Sequence, residues 1–203
     1  MMAGNTDTHT EEELHALLGD IRACRACEGQ IPEPRPVVQA HSTARVRIIG
    51  QAPGTRVHAS GKPFTDPSGD RLRDWMGVEP DVFYDPAKIA ITPMGFCFPG
   101  QDSKGGDKPP PKRCARQWQD ALTSQLQHVE VTLLVGLYAQ RFVLKERAKP
   151  TLTQSVMAWR DYAPDFIPLP HPSWRNNTWL KKNPWFAEDV LPMLQCRMSK
   201  LLG

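Results

Sequence analysis

Residues 46–54 read VRIIGQAPG. Val46 to Ile49 form a run rich in β-branched side chains that stops at Gly50, the pattern of a short strand. GQAPG has neither helix nor strand propensity. A proline between two glycines makes a rigid bend that lets backbone approach a ligand closely, or it is a plain turn out of the strand. The bend lacks the G-x-G-x-x-G spacing and no Lys-Ser/Thr pair follows, so it is not a phosphate loop. Downstream, residues 88–92, 131–135 and 166–169 read as three further strands, the last broken by Pro168 and therefore expected at an edge or a strand end. Helices are expected over 70–76, 112–128, 137–147, 151–159 and 184–198, and loop over 28–42, 55–69 and 93–111. Strands alternating with helices predict a three-layer α/β/α fold around a four-stranded parallel sheet. In such sheets ligands bind beyond the carboxyl ends of the strands. GQAPG, the PMGFC of residues 93–97 and the PHPS of residues 170–173 all follow strands, so these loops are expected to converge.

Ahead of the first strand, Thr10 and three glutamates start a helix, and Leu14, Leu17, Leu18 and Ile21 give it an apolar stripe. Residues 1–9 read as a flexible tail and residues 10–203 as one domain. The 203 residues suffice for a single core. Twenty prolines exclude a simple helical bundle, and no apolar run is long enough to span a membrane. The N-terminus has no secretory pattern, so a cytoplasmic monomer without a membrane partner is expected. A net charge of +3 permits a polyanionic partner without requiring one.

The loops carry the chemistry. In GKPFTDPSG, residues 61–69, Phe64 is either a stacking platform for a flat ring or a plug in the core below. Asp66 and Asp70 either do acid–base work or cap the following helix; capping is the preferred reading of Asp70. From His171 to Trp185, three cations (Arg175, Lys181, Lys182) and no acid are interleaved with three tryptophans and the asparagines Asn176 and Asn177. That mixture suits nucleic acid, with cations on phosphates and rings on bases; otherwise it is a solvated basic face with tryptophans turned inward. Cys24 and Cys27 form a C-x-x-C, and Cys97 and Cys114 lie downstream. Cys196, alone on the last helix, is expected to be buried.

A strand followed by GQAPG, six residues, GKPFTDPSG, then Cys97 and Cys114 with sixteen residues between them, and finally HPSWRN, resembles the uracil-DNA glycosylase superfamily. The nearest type is the iron–sulfur uracil-DNA glycosylases of thermophiles and many bacteria, whose motifs are G-E-A-P-G, G-x-P-F and H-P-S. The resemblance runs from about residue 20 to 195 and implies the same four-stranded parallel fold. It places Gly50, Gln51, Ala52, Pro53 and Gly54 against the deoxyribose and the attacking water, and Phe64 on the extruded base. It places His171 on the base's O2 and presses Pro172, Ser173, Trp174 and Arg175 into the duplex at the minor groove, with Ser173 also counted as substrate-binding and Asn176 as DNA-binding. Lys181 and Lys182 extend that DNA-binding surface. Cys24, Cys27, Cys97 and Cys114 match the family's [4Fe–4S] ligands, with zinc, or no metal at all, as alternatives.

This sequence departs from the family at three points. The motif glutamate is Gln51, the acidic pair before G-x-P-F is Val57-His58, and the asparagine that reads the base edge is Pro93. The resemblance then leaves water positioning to Gln51 or to His58 oriented by Asp66, and edge reading to backbone groups of Met94 and Gly95 or to another side chain. The expected activity is monofunctional hydrolysis of a deaminated base, uracil first, from DNA containing a damaged base. The alternatives are a uracil- or abasic-DNA binding protein with little turnover, or a small-molecule nucleoside hydrolase.

Overall fold

The computed structural model describes residues 4–203. Helix α1, Gly4–Ala23, starts ahead of the Thr10 expected from the sequence; of the tail expected over residues 1–9, residues 1–3 lie outside the described residues. Strand β1 is Val46–Ile49. The stretch expected as loop after it holds a helix, α2, Thr55–Ser60, which Gly61 ends in the left-handed conformation with φ 69°. Helix α3, Pro67–Met76, starts on the proline that can occupy a first turn, and the one-turn α4, Pro80–Phe83, follows. Strand β2 is Ile89–Ile91 and α5 is Lys112–Gln125. Strand β3, Val131–Val135, leads through Gly136 into α6, Leu137–Leu144. Helix α7, Leu152–Met157, is shorter than expected, and Thr151 with Gln154 closes a capping box at its start. Strand β4 is Phe166–Leu169, followed by a 3-10 turn over Trp174–Asn176 and helix α8, Asn177–Lys182. A π-helical turn over Phe186–Val190 precedes α9, Leu191–Leu202, so the last helix expected as continuous is wound differently in its first part.

The four strands are parallel, in the order β2-β1-β3-β4. Every strand residue but Phe166 is buried, as both faces are covered. On one face Val46, Ile48, Leu133 and Val135 meet Leu72, Trp75 and Met76 of α3 and Leu194 and Met198 of α9. On the other, Ala90 meets Leu14, Leu18 and Ile21 of α1 and Leu122 of α5, and Ile49 with Leu134 meets Ala139 and Leu144 of α6. Cys196 is exposed rather than buried, because it lies off the α9 stripe of Leu194, Met198 and Leu201. Pro168 sits on edge strand β4, where its missing N–H costs the sheet nothing essential. Among the described residues no helix is long and apolar enough to cross a membrane.

Arg47 points into the α5 side and is buried; burial lowers its pKa to about 10, so it stays charged at neutral pH. Its guanidinium donates to Thr92 Oγ1 at 2.8 Å, Thr123 Oγ1 at 2.7 Å and Gln119 Oε1 at 2.6 Å. Gln119 Nε2 in turn donates to the carbonyls of Thr92 and Pro93. The loop leaving β2 is thereby hung from the centre of the sheet.

Candidate functional site

The strand order reverses at β1, whose neighbours are β2 on one side and β3 on the other, and the crevice at such a switch point is where doubly wound sheets bind ligands. A cavity of about 620 Å³ opens there. GQAPG lines it with all five residues, joined by Phe64, Pro93, His171, Ser173, Trp174, Arg175 and Asn176. The loops after β1, β2 and β4 converge as their positions predicted. The end of β3 contributes by making room: Gly136 has φ 88°, and a Cβ there would come within 2.8 Å of Gln51 Nε2. The Gln51 side chain occupies the space that a side chain at 136 would fill.

Phe64 is held in a rare backbone state, with φ 53°. Its carbonyl accepts hydrogen bonds from Tyr84 Oη at 2.9 Å and Arg73 Nη1 at 3.4 Å. A Cβ on Gly69 would lie 1.8 Å from that carbonyl oxygen, so α3 approaches Phe64 as only a glycine permits. The ring is braced edge-on by Phe83 at 6.1 Å, and a Cβ on Gly50 would touch it at 3.2 Å. This backbone strain fixes an aromatic face beside the GQAPG bend. Burial raises the Tyr84 pKa, against the pull of Arg73, so the hydroxyl keeps its proton.

His171 follows β4 through Pro170. The Ser173 backbone N–H donates to its Nδ1 at 3.2 Å, and Asn176 Nδ2 donates to its carbonyl at 2.7 Å. An Nδ1 that accepts leaves the proton on Nε2, which has no partner among the described residues. Burial lowers the His171 pKa, and Asp66 and Asp107 partly restore it. The imidazole is a neutral donor aimed at whatever enters the cavity.

Those two carboxylates line the cavity, and neither accepts a hydrogen bond from the described residues. Asp66 has the N-cap backbone position of α3, but its side chain makes no capping bond. Asp70 is paired with Arg73 on the exposed side. Asp107 was not singled out from the sequence; it sits in a glycine- and proline-rich loop with no periodicity to mark it.

Some expected residues lie elsewhere. His58 does not line the cavity: its Nε2 meets Glu33 Oε2 at 3.2 Å and its ring packs on Phe98 at 5.7 Å. The turn of α2 carries it away from the GQAPG bend. Met94 and Gly95 have already used their N–H groups, which donate to the carbonyls of Gly50 at 3.0 Å and Gln51 at 2.8 Å. Those N–H groups therefore do not read a ligand's edge. Of the three tryptophans in the basic stretch, Trp179 and Trp185 pack on Phe186, and only Trp174 stands out, at 71% exposure. Arg175 reaches across the cavity mouth to the Gly105 carbonyl at 3.2 Å, and Lys181 and Lys182 are exposed at the end of α8.

Cys24, Cys27, Cys97 and Cys114 line a second, separate cavity with Phe96 and Trp118. All are free thiols. Burial, then the neighbouring thiolates, pushes Cys97 up to about 12 and Cys114 up to about 11. The Phe96 N–H donates to Cys114 Sγ at 3.4 Å. Among the described residues no three His, Cys, Asp or Glu side chains are gathered to hold a metal ion. A single zinc with bonds near 2.3 Å would draw its sulfurs to within about 4 Å of one another. A polynuclear cluster, with each thiolate on its own iron, keeps them farther apart. Four cysteine sulfurs around one cavity, one of them accepting a backbone N–H, are a donor set of the kind a cluster's irons take.

A family model described as the uracil DNA glycosylase superfamily matches residues 38–195, from the segment before β1 to α9.

Proposed function

The chain belongs to the uracil DNA glycosylase superfamily, and from that premise we propose that it swings a deaminated base, uracil first, out of DNA and hydrolyses its N-glycosidic bond. The observation that carries this reading is the neutral His171, with Nδ1 occupied by the Ser173 N–H and Nε2 left to donate into a cavity that Phe64 lines. Breaking a glycosidic bond leaves negative charge on the departing base, and a fixed donor in a shielded cavity stabilises it. Phe64 would carry the flat base on its ring. The GQAPG bend would lie along the sugar. Trp174, exposed at the mouth with the Arg175 guanidinium 5.6 Å above its ring, would fill the gap left in the stack. Arg56 and Lys108 line the cavity and Lys104 stands on the loop beside it, so cations face the expected path of the phosphates.

Cys24, Cys27, Cys97 and Cys114 would hold a [4Fe–4S] cluster. When bound, it supplies a cross-link between the end of α1 and the segments on either side of the loop after β2.

The test is cleavage of labelled single- and double-stranded oligonucleotides carrying uracil, hypoxanthine or xanthine, with alkali to break abasic sites. Wild type and His171→Ala are run together. Alkali-dependent breaks that the variant loses support hydrolysis and name the base. Binding of lesion DNA by the wild type without breaks at any lesion overturns it in favour of a recognition protein.

A further inference from the structure

The family's motif carboxylate is absent at position 51, yet hydrolysis needs a group that orients water at the anomeric carbon. Gln51 carries no charge and its amide lies against Gly136. His58 is turned toward Glu33. We propose that Asp107, from the loop between β2 and α5, is the carboxylate that takes the proton of the attacking water. The inference rests on the glycosylase reading.

Three observations place it there. Asp107 lines the cavity, and its Oδ2 would lie 3.2 Å from a Cβ at Gly54, the last residue of the GQAPG bend. The resemblance puts sugar and water at that bend. The carboxylate accepts no hydrogen bond from the described residues, while its backbone is firmly mounted. Asp107 bridges Gln101, the Lys108 N–H donates to the Gly100 carbonyl at 2.9 Å, and the Asp102 N–H donates to the Gly106 carbonyl at 2.7 Å. Asp102 Oδ1 closes the tip by accepting from the Lys104 and Gly106 N–H groups at 2.8 and 2.9 Å. The free carboxylate thus stands on a loop that is itself tied down, and Arg175 holds the same loop from the opposite wall at Gly105. Asp66, the other unpaired acid, belongs to the GKPFTDPSG loop and so to the Phe64 side, where the base would stack.

The step balances without a co-reactant. The water oxygen bonds to C1′ as the C1′–N bond breaks. That electron pair leaves with the base, whose charge the His171 Nε2–H meets. The water proton passes to an Asp107 oxygen and then, through solvent, to the departed base.

The test uses the full chain and single-turnover excision of the base that the wild type removes. Asp107→Asn is expected to slow excision by about 100-fold or more while binding lesion DNA and melting as wild type does. The acidic limb of its rate–pH profile is expected to disappear, which a merely structural loss would not cause. Gly54→Ala, which crowds Oδ2, gives a second loss with the charge intact. Wild-type excision by Asp107→Asn overturns the inference and leaves the glycosylase reading standing, as does a loss seen only in Asp66→Asn. A wild type that excises no base overturns both.

Discussion

His171 and Phe64 are each defined by what their backbone neighbours do to them. For His171, burial lowers the pKa, so the folded chain binds its proton less readily than the unfolded chain, whose imidazole titrates near 6.5. Stability from this residue is therefore present above that pH and falls as the pH drops through about 6.5, where the unfolded state gains the proton first. Protonation of Nδ1 also ends the Ser173 N–H bond. Nitrogen-detected NMR of the imidazole is expected to show the Nε2–H tautomer at neutral pH and a midpoint below 6.5; a midpoint above that value contradicts the geometry. For Phe64, Tyr84→Phe removes the hydroxyl bonded to its carbonyl, at a cost of about 1 kcal/mol by thermal melting. Excision is expected to fall beyond that stability loss, because the ring's fixed position loosens while the fold persists. Both residues were singled out in the sequence through the resemblance carried by HPS and GKPF; position alone left Phe64 as either a stacking platform or a core plug, and the structure shows both residues lining the cavity. Asp107 was not, because nothing in a run of glycine, lysine and proline tells which side chain turns inward. The spent N–H groups of Met94 and Gly95 were equally hidden, as backbone partners across loops leave no mark on residue type.

At the level of elements, the stretch from His171 to Trp185 shows how far composition carries. Its interleaved cations and tryptophans admitted two readings, and the structure divides them between residues. Trp179 is half-buried against the core, with Nε1 donating to Thr153 Oγ1 at 2.8 Å, and Trp185 packs at 5.7 Å from it. Trp174 alone is presented outward by the 3-10 turn that precedes α8. Trp174→Ala is accordingly expected to leave the melting temperature unchanged and to weaken binding of lesion-containing duplex by about 1–3 kcal/mol in a titration. Trp179→Ala is expected to lower stability by about 3 kcal/mol in denaturant melts. A reversal of that pattern would place the wedge on the wrong tryptophan. Helix α2 was missed because TRVHAS is short and lacks a polar N-cap; Gly54 precedes it without a side-chain cap. That small error had a large effect, since a loop would have left His58 free to face the cavity.

On the scale of the whole molecule, the α/β/α order was readable because buried parallel strands are continuous apolar runs and each ends at a turn. The cysteines were readable as a set, though only the folded chain shows all four around one cavity. A cluster held there would join the end of α1 to Cys97 and Cys114, and so tie the chain's N-terminal part to the loop that carries Asp107. The native protein is expected to contain iron and acid-labile sulfide, with visible absorbance that vanishes in Cys97→Ser. Stripping the metal is expected to lower the melting temperature by several degrees, about 2–4 °C for each kcal/mol lost at this size. Protein purified anaerobically without iron or sulfide, yet melting unchanged after chelation, rules the cluster out.

The reach of Arg175 to the Gly105 carbonyl bears on how the proposed glycosylase would hold intact DNA. In the free protein that guanidinium already has a partner, so gripping a phosphate exchanges one hydrogen bond for another instead of adding a new one. A phosphate keeps the charge share of that contact, so the exchange trims its worth without cancelling it. On the proposed reading, intact duplex would be held less firmly than a site where a nucleotide enters and displaces the arginine from the backbone, and the dwell time at each position would report whether something has gone in.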